Sequence, residues 1–134
     1  MKHITLTFFL AIAMVFMFSS CEDLTIPDPS SVDFTERDLY GIWLQQTSSG
    51  KDGTYYEEYK SNKNGYYWDV SPDVDIPKSD AKEFTWELEV DDLTWYLKYE
   101  EVGGTNIVRY TITTLNSTTL TYTDGLTTKT FKKQ

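Results

Sequence analysis

Phe84-Thr85-Trp86-Glu87-Leu88-Glu89-Val90, followed by Asp91-Asp92 and then Leu93-Thr94-Trp95-Tyr96-Leu97-Lys98-Tyr99, is the stretch on which the fold turns. Apolar and polar residues alternate strictly through its first half. Successive side chains of a β-strand point to opposite faces, so Phe84, Trp86, Leu88 and Val90 share one face while Thr85, Glu87 and Glu89 meet water. A tight turn at Asp91-Asp92 then brings Leu93, Trp95, Leu97 and Tyr99 onto the same apolar face, forming a hairpin with one dry side.

The same grammar runs outward in both directions. Tyr, Trp, Thr, Val and Ile dominate from residue 40 to the end, and turn signals recur every 8–12 residues or so, the spacing of short antiparallel strands. Strands are predicted at 40–47, 54–60, 65–70, 82–90, 93–100, 106–114, 119–123 and 127–132. Asn64-Gly65, Gly103-Gly104, Asn116-Ser117 and Asp124-Gly125 mark further hairpin turns. Short links favour antiparallel neighbours in up-and-down order. Eight such strands, each with one apolar face, close most economically as a barrel, which abolishes sheet edges. The predicted fold is therefore all-β, an antiparallel up-and-down eight-stranded barrel. A short helical turn at 34–39 precedes it, with Thr35 as its cap and Asp38 three residues on. Residues 34–134 are enough for one domain.

The amino terminus reads differently. Met1-Lys2-His3 is a short polar start, and residues 4–18 carry no charge and are rich in Phe, Ile, Leu, Val, Met and Ala. That is the layout of a secretory signal, too short to span a bilayer comfortably. The window Phe18-Ser19-Ser20-Cys21 resembles a bacterial lipobox. The resemblance implies that residues 1–20 are removed and that Cys21 is acylated, anchoring the protein in a lipid bilayer. Two or more acyl chains hold firmly, at about 0.8 kcal/mol per buried methylene. Residues 22–33, with Pro27 and Pro29, read as an extended tether. The acidic pair Glu22-Asp23 either keeps that tether soluble or serves as the export tag it resembles in surface lipoproteins of Bacteroidetes. The expected location is the outer membrane, lipid-anchored, on its periplasmic or outer face.

Loss of residues 1–20 removes the only histidine, His3, and leaves Cys21 as the only cysteine. No disulfide can then form within the domain. The formal net charge of −9 becomes one unit more negative as Lys2 goes. An acidic surface repels phosphate backbones, so no nucleic-acid partner is expected.

Leu39-Tyr40-Gly41-Ile42-Trp43, placed after a helical turn and opening the first strand, resembles the Gly-x-Trp signature of lipocalins. The rest of the domain resembles the lipocalin-like (calycin-type) barrels of Bacteroidetes lipoproteins, through the Tyr59…Gly65 hairpin, Tyr110-Thr111-Ile112 with Leu115, Leu120, and the closing Lys129-Thr130-Phe131-Lys132. The resemblance implies that Gly41 and Trp43 close one end of the barrel, with Lys132 or Lys129 laid over the indole as its cation.

Without histidine or free thiol the mature chain assembles no Ser-His-Asp or Cys-His site and lacks the usual soft zinc ligands. No Gly-rich phosphate loop is present. Glu57-Glu58 and Asp91-Asp92 are adjacent pairs, so on a strand each pair splits between faces. Residues 69–80 echo a calcium loop, yet Val74 stands where glycine is obligatory, and Pro72 and Pro77 stiffen the segment. The expectation is a protein that is not an enzyme and has no metal or cofactor.

All four Trp and all ten Tyr remain in the mature chain. Tyr55-Tyr56 and Tyr66-Tyr67-Trp68 put rings on both faces of one hairpin. Those rings either fill the barrel or line a mouth for a flat apolar or sugar-like ligand. Glu57, flanked at a spacing of two by Tyr55 and Tyr59, is the carboxylate expected to point inward. The candidate ligand-binding set is Tyr55, Tyr56, Glu57, Tyr59, Tyr66, Tyr67 and Trp68, with the long loop at 71–81. The expected function is non-enzymatic binding on the cell envelope, of a small apolar or amphipathic ligand or of a partner at the rim. The alternative is a structural or accessory subunit of an outer-membrane complex, with a filled barrel and no ligand.

Overall fold

The computed structural model describes residues 34–134. The expected signal peptide and tether, Cys21 included, lie outside the described residues. A single helical turn, α1 (Glu36–Leu39), leads into eight strands: β1 (Gly41–Gln46), β2 (Asp52–Tyr59), β3 (Asn64–Asp69), β4 (Lys82–Asp91), β5 (Thr94–Glu101), β6 (Ile107–Leu115), β7 (Thr119–Thr123) and β8 (Thr128–Lys133). Each strand pairs antiparallel with the next, and β1 pairs with β8, so the sheet closes as an up-and-down barrel. A short 3₁₀ turn, Lys78–Asp80, interrupts the β3–β4 loop.

Register assigns the faces. Trp86 sits opposite Tyr99 and Leu88 opposite Leu97, so the alternating apolar face of β4 and β5 is the barrel interior. Trp43, Phe84, Ile112, Leu120, Tyr122 and Phe131 complete a core of buried rings and branched chains. The hairpin turn lies one residue later than the sequence reading places it. Asp91 pairs with Thr94, leaving Asp92 and Leu93 as the two turn residues, with φ of 46° and 66°. Both values are positive, as the mirror-image turns that match strand twist require. Leu93 is consequently 62% exposed rather than on the apolar face, and Val90 beside it is 55% exposed. Asn64-Gly65 is likewise no turn: both residues belong to β3. A Cβ on Gly65 would lie 2.3 Å from the Phe84 ring, so the glycine is there to let that ring pass.

The up-and-down order sends the hairpins alternately to two ends. The β2–β3, β4–β5 and β6–β7 turns share one end with α1, and the β1–β2, β3–β4, β5–β6 and β7–β8 connections share the other. α1 is fixed by its own sequence and by packing. Asp38 Oδ2 accepts a hydrogen bond from the Thr35 backbone N–H at 2.7 Å, and Leu39 is fully buried. Phe34 packs on Trp95 with ring centroids 4.7 Å apart. Lys63 pairs with Glu36 across the end, and with the Tyr40 hydroxyl this holds the Glu36 carboxyl below its ordinary range.

Candidate functional site

The α1 end is sealed. Trp43 is completely buried, and its Nε1–H donates to the Leu39 carbonyl at 2.7 Å, tying the plug to the helical turn. The cation over the indole is Lys133, with Nζ 5.0 Å from the ring and donating to the Asp38 carbonyl at 2.9 Å. This corrects the expectation of Lys132 or Lys129. Lys133 pairs directly with Trp43, whereas Lys132 pairs with Leu44 on the outer face. Lys129 points inward at the opposite end, 5.3 Å over the Tyr55 ring. Gly41 takes φ of +122°, a conformation side chains avoid, and a Cβ there would meet Lys133 Cε at 3.2 Å.

Midway along the barrel lies Glu57, 1% exposed. Its place on β2 between Tyr55 and Tyr59 turns all three side chains inward. The Tyr59 hydroxyl donates to Oε2 at 2.5 Å, while the Tyr122 and Tyr55 hydroxyls donate to Oε1 at 2.8 and 3.1 Å. Burial raises the Glu57 pKa, opposed by these three hydrogen bonds and by the Lys129 charge. Burial, followed by the Glu57 charge, raises the tyrosine pKa values in turn, so the hydroxyls stay protonated donors. Three hydroxyl donors take up most of the roughly four acceptor sites of a carboxylate, and Glu57, 1% exposed, braces the interior.

Beyond Glu57 the other end, the mouth, is ring-lined. Tyr55, Tyr67 and Tyr110 are half-buried around it, with Tyr99 just beneath. Tyr67 donates to Glu101 at 3.2 Å at the rim. The Tyr99 and Tyr110 hydroxyls take part in none of the side-chain hydrogen bonds among the described residues, and neither is sealed from solvent. Rings connect the mouth to the core: Phe84 stacks on Tyr99 at 4.2 Å, Tyr110 meets Tyr122 at 4.5 Å, and Tyr122 meets Phe131 at 5.3 Å. A hollow of about 250 Å³, with polar and apolar surface in similar measure, opens at the rim beside Tyr55, lined by Gln45, Gln46, Thr47, Gly53, Thr54 and Asp69.

The candidate set therefore splits. Tyr55, Glu57, Tyr59 and Tyr67 face the interior, and of these only Tyr55 and Tyr67 reach the mouth. Tyr56, Tyr66 and Trp68 face outward. Tyr56 stacks on Trp68 with centroids 5.1 Å apart and planes within 6°. Trp68 is nevertheless buried, because the β3–β4 loop folds onto the outer wall: Asp69 and Ile76 exchange backbone hydrogen bonds, and Lys78 lies 5.2 Å over the indole. Lys60 similarly covers Tyr66 at 4.5 Å. These three rings form an external seam and do not contribute to the mouth. Sequence reasoning did not single out Tyr99, Tyr110, Gln45 and Asp69 as site residues. Alternation carried both tyrosines inward, but only closure of the barrel brings them beside Tyr55 and Tyr67. No protein-family model, no curated protein and no solved structure matches this chain.

Proposed function

We propose that this chain is an exported, lipid-anchored, non-enzymatic binding protein, a lipocalin-like barrel held to the outer membrane by acylated Cys21, which takes a small amphipathic ligand at its open mouth. The observation that carries the reading is the asymmetry of the ends: one is plugged by Trp43 under Lys133, and the other is lined by tyrosines of which Tyr99 and Tyr110 keep hydroxyls without a side-chain partner among the described residues. Buried rings with a few placed polar groups are the usual make-up of a ligand site. A non-enzymatic role is supported by Glu57, whose carboxylate is enclosed by three hydroxyls. Phe34, the first described residue, packs at the sealed end, so the segment that leads from Cys21 joins the barrel at the end away from the mouth.

The test is native mass spectrometry of the full-length protein purified from its own host in mild detergent. A reproducible adduct that is lost on Tyr67→Ser with Tyr110→Ser, at unchanged melting, supports the reading. An adduct unaffected by those changes removes it. The second reading, an accessory subunit without ligand, is favoured by the continuous ring packing of the interior and by the apolar tips Val70, Val74, Val102, Ile107 and Leu126 at the mouth end. It predicts no adduct and a co-purifying protein released by Leu126→Asp.

A further inference from the structure

The mouth is not chemically uniform, and its β1–β2 corner differs from the ring-lined floor. The hollow there is lined by two amides, two threonines, a carboxylate, a glycine and one ring, with no aliphatic side chain among its lining residues. At about 250 Å³ the hollow has room for a single small ring, and a second hollow of about 510 Å³ shares Gln45, Gln46 and Thr47 with it.

Gln46 and Asp69 are held in place yet retain free capacity, and Gln45 is uncommitted. Gln45 pairs with Phe131 and shares its inward face, and its amide makes no side-chain hydrogen bond among the described residues. Gln46 Nε2 donates to the Leu44 carbonyl and to Asp52 Oδ1, both at 3.2 Å, which fixes the amide and leaves its carbonyl oxygen as an acceptor. Asp69 Oδ1 accepts the Ser71 N–H at 2.9 Å. Hydrogen bonds from Ser71 and Thr54 outweigh its burial and hold its carboxyl below the ordinary range, so Asp69 is an anionic acceptor at neutral pH. The Asp69 backbone is itself clamped by the two hydrogen bonds with Ile76, at 3.1 and 2.8 Å. Gly53 closes the corner: a Cβ there would lie 2.6 Å from the Gln45 carbonyl oxygen, so only glycine permits this approach of β1 and β2.

Planar amides and a carboxylate offering donors and acceptors side by side match adjacent hydroxyls, each of which donates one bond and accepts others. The Tyr55 ring borders the same hollow and offers an apolar face. We infer that the ligand taken at the mouth is a pyranose, an uncharged sugar ring whose hydroxyl edge is read by Gln45, Gln46 and Asp69 and whose C–H face rests against Tyr55. This rests on the mouth-binding reading above and names its substrate class. The Asp69 carboxylate disfavours an acidic sugar in the hollow, and Lys129, 5.3 Å over the Tyr55 ring, is the cation that acts in the opposite sense.

The test is saturation-transfer NMR on the full-length protein with the methyl glycosides of glucose, galactose, mannose and N-acetylglucosamine, and with methyl glucuronide as the anionic comparison. Binding of at least one neutral glycoside, with the glucuronide weaker, is expected. Gln45→Leu should weaken that binding about tenfold or more, a fold-change equal to about 1.4 kcal/mol. Asp69→Asn should narrow the gap between neutral and acidic sugars; it is the second variant should Gln45→Leu lower the melting temperature. N-phenyl-1-naphthylamine, a flat uncharged apolar probe, separates the two layers of the argument. If it binds and is displaced on Tyr110→Ser while no glycoside binds, the sugar assignment is overturned and mouth binding stands. If neither binds, both fall. Glycoside binding unaltered by both Gln45→Leu and Asp69→Asn also overturns the assignment.

Discussion

The two ends of this barrel are built from the same alternating strands, yet they spend their inward positions differently. The sealed end commits its central groups: Trp43 bonds to Leu39, Lys133 covers it and bonds to Asp38, and Phe34 packs against Trp95. At the mouth, tyrosine replaces tryptophan and phenylalanine, and Gln45, Tyr99 and Tyr110 keep polar groups unpaired among the described residues. The turns differ too. Mouth-end connections place Gly50, Gly103 and Gly125 at positive φ, with Asp75 the one non-glycine among them, whereas the sealed-end turns use Lys63, Asp92 and Leu93 there. Stability belongs to one end and adaptability to the other, a division expected where a binding surface is drawn from the less committed part of a fold.

The largest effect that would break this comparison is at Trp43. Trp43→Ala should cost about 3–5 kcal/mol, the range for truncating a fully buried aromatic. The mouth counterpart, Tyr110→Phe, removes a hydroxyl without a protein partner among the described residues and should stay within about 0.5 kcal/mol, as for a change away from the core. Urea melts of both variants decide the matter. Similar losses would mean that the two ends share the load.

Between the ends, Glu57 makes a prediction about pH. Burial raises its folded pKa above the ordinary 4.5, so between that value and the folded one the native state holds a proton that the unfolded chain has released. Stability from this group is present below pH 4.5 and is lost as pH rises through the folded pKa. Asp69, Asp124 and Glu36 are shifted down and act with the opposite sign in acid. Comparing wild type with Glu57→Gln cancels those contributions. Wild-type stability should fall relative to the variant as pH rises above 4.5, measured by urea melts at a series of pH values. A difference independent of pH would show that Glu57 titrates normally and that its cluster is wet.

A finer contrast uses the two inward lysines of β8. Lys133→Met removes a cation–π contact and a hydrogen bond to a carbonyl, together worth about 1 kcal/mol in a half-buried setting. Lys129→Met removes only a cation–π contact at the mouth and should cost about 0.5 kcal/mol or less. Equal losses by thermal melting would remove the distinction between a plugging and a lining lysine.

Most of the fold was legible because period-two alternation and closely spaced turns leave few alternatives to an antiparallel barrel. The strand bounds lie within two residues of those read from the sequence, and Glu57 faces inward as its tyrosine neighbours imply. The site was less legible, for reasons that are local. Parity from the buried Phe131 would have placed Lys133 inside and Lys132 outside; ending the last strand one residue early hid it. The burial of Trp68 depends on a loop folding back over the outer wall, which alternation cannot reveal. Gln45 and Asp69 are twenty-four positions apart and meet only because Gly53 lets β1 and β2 close across them.

The smallest effect concerns the sealed end's least explained residue. Leu93 sits at φ of 66° in a two-residue turn and is 62% exposed, so it bears left-handed backbone strain while burying little apolar surface. Glycine adopts that conformation freely, and Asp followed by Gly is a favoured pair for such turns. Leu93→Gly should therefore raise stability by roughly 0.5–1 kcal/mol, the strain relieved exceeding the entropy that glycine adds to the unfolded chain. At the mouth the same position type is already glycine, as in Gly125 with φ of 94°, and Gly125→Ala should act in the opposite direction by a similar amount. Paired thermal melts test both signs. Stabilisation at Leu93 with destabilisation at Gly125 would show that the sealed end holds strain its sequence need not carry. A loss of stability on Leu93→Gly would instead mean that the entropy glycine adds to the unfolded chain outweighs the strain it relieves, and that the leucine is the better residue for this turn.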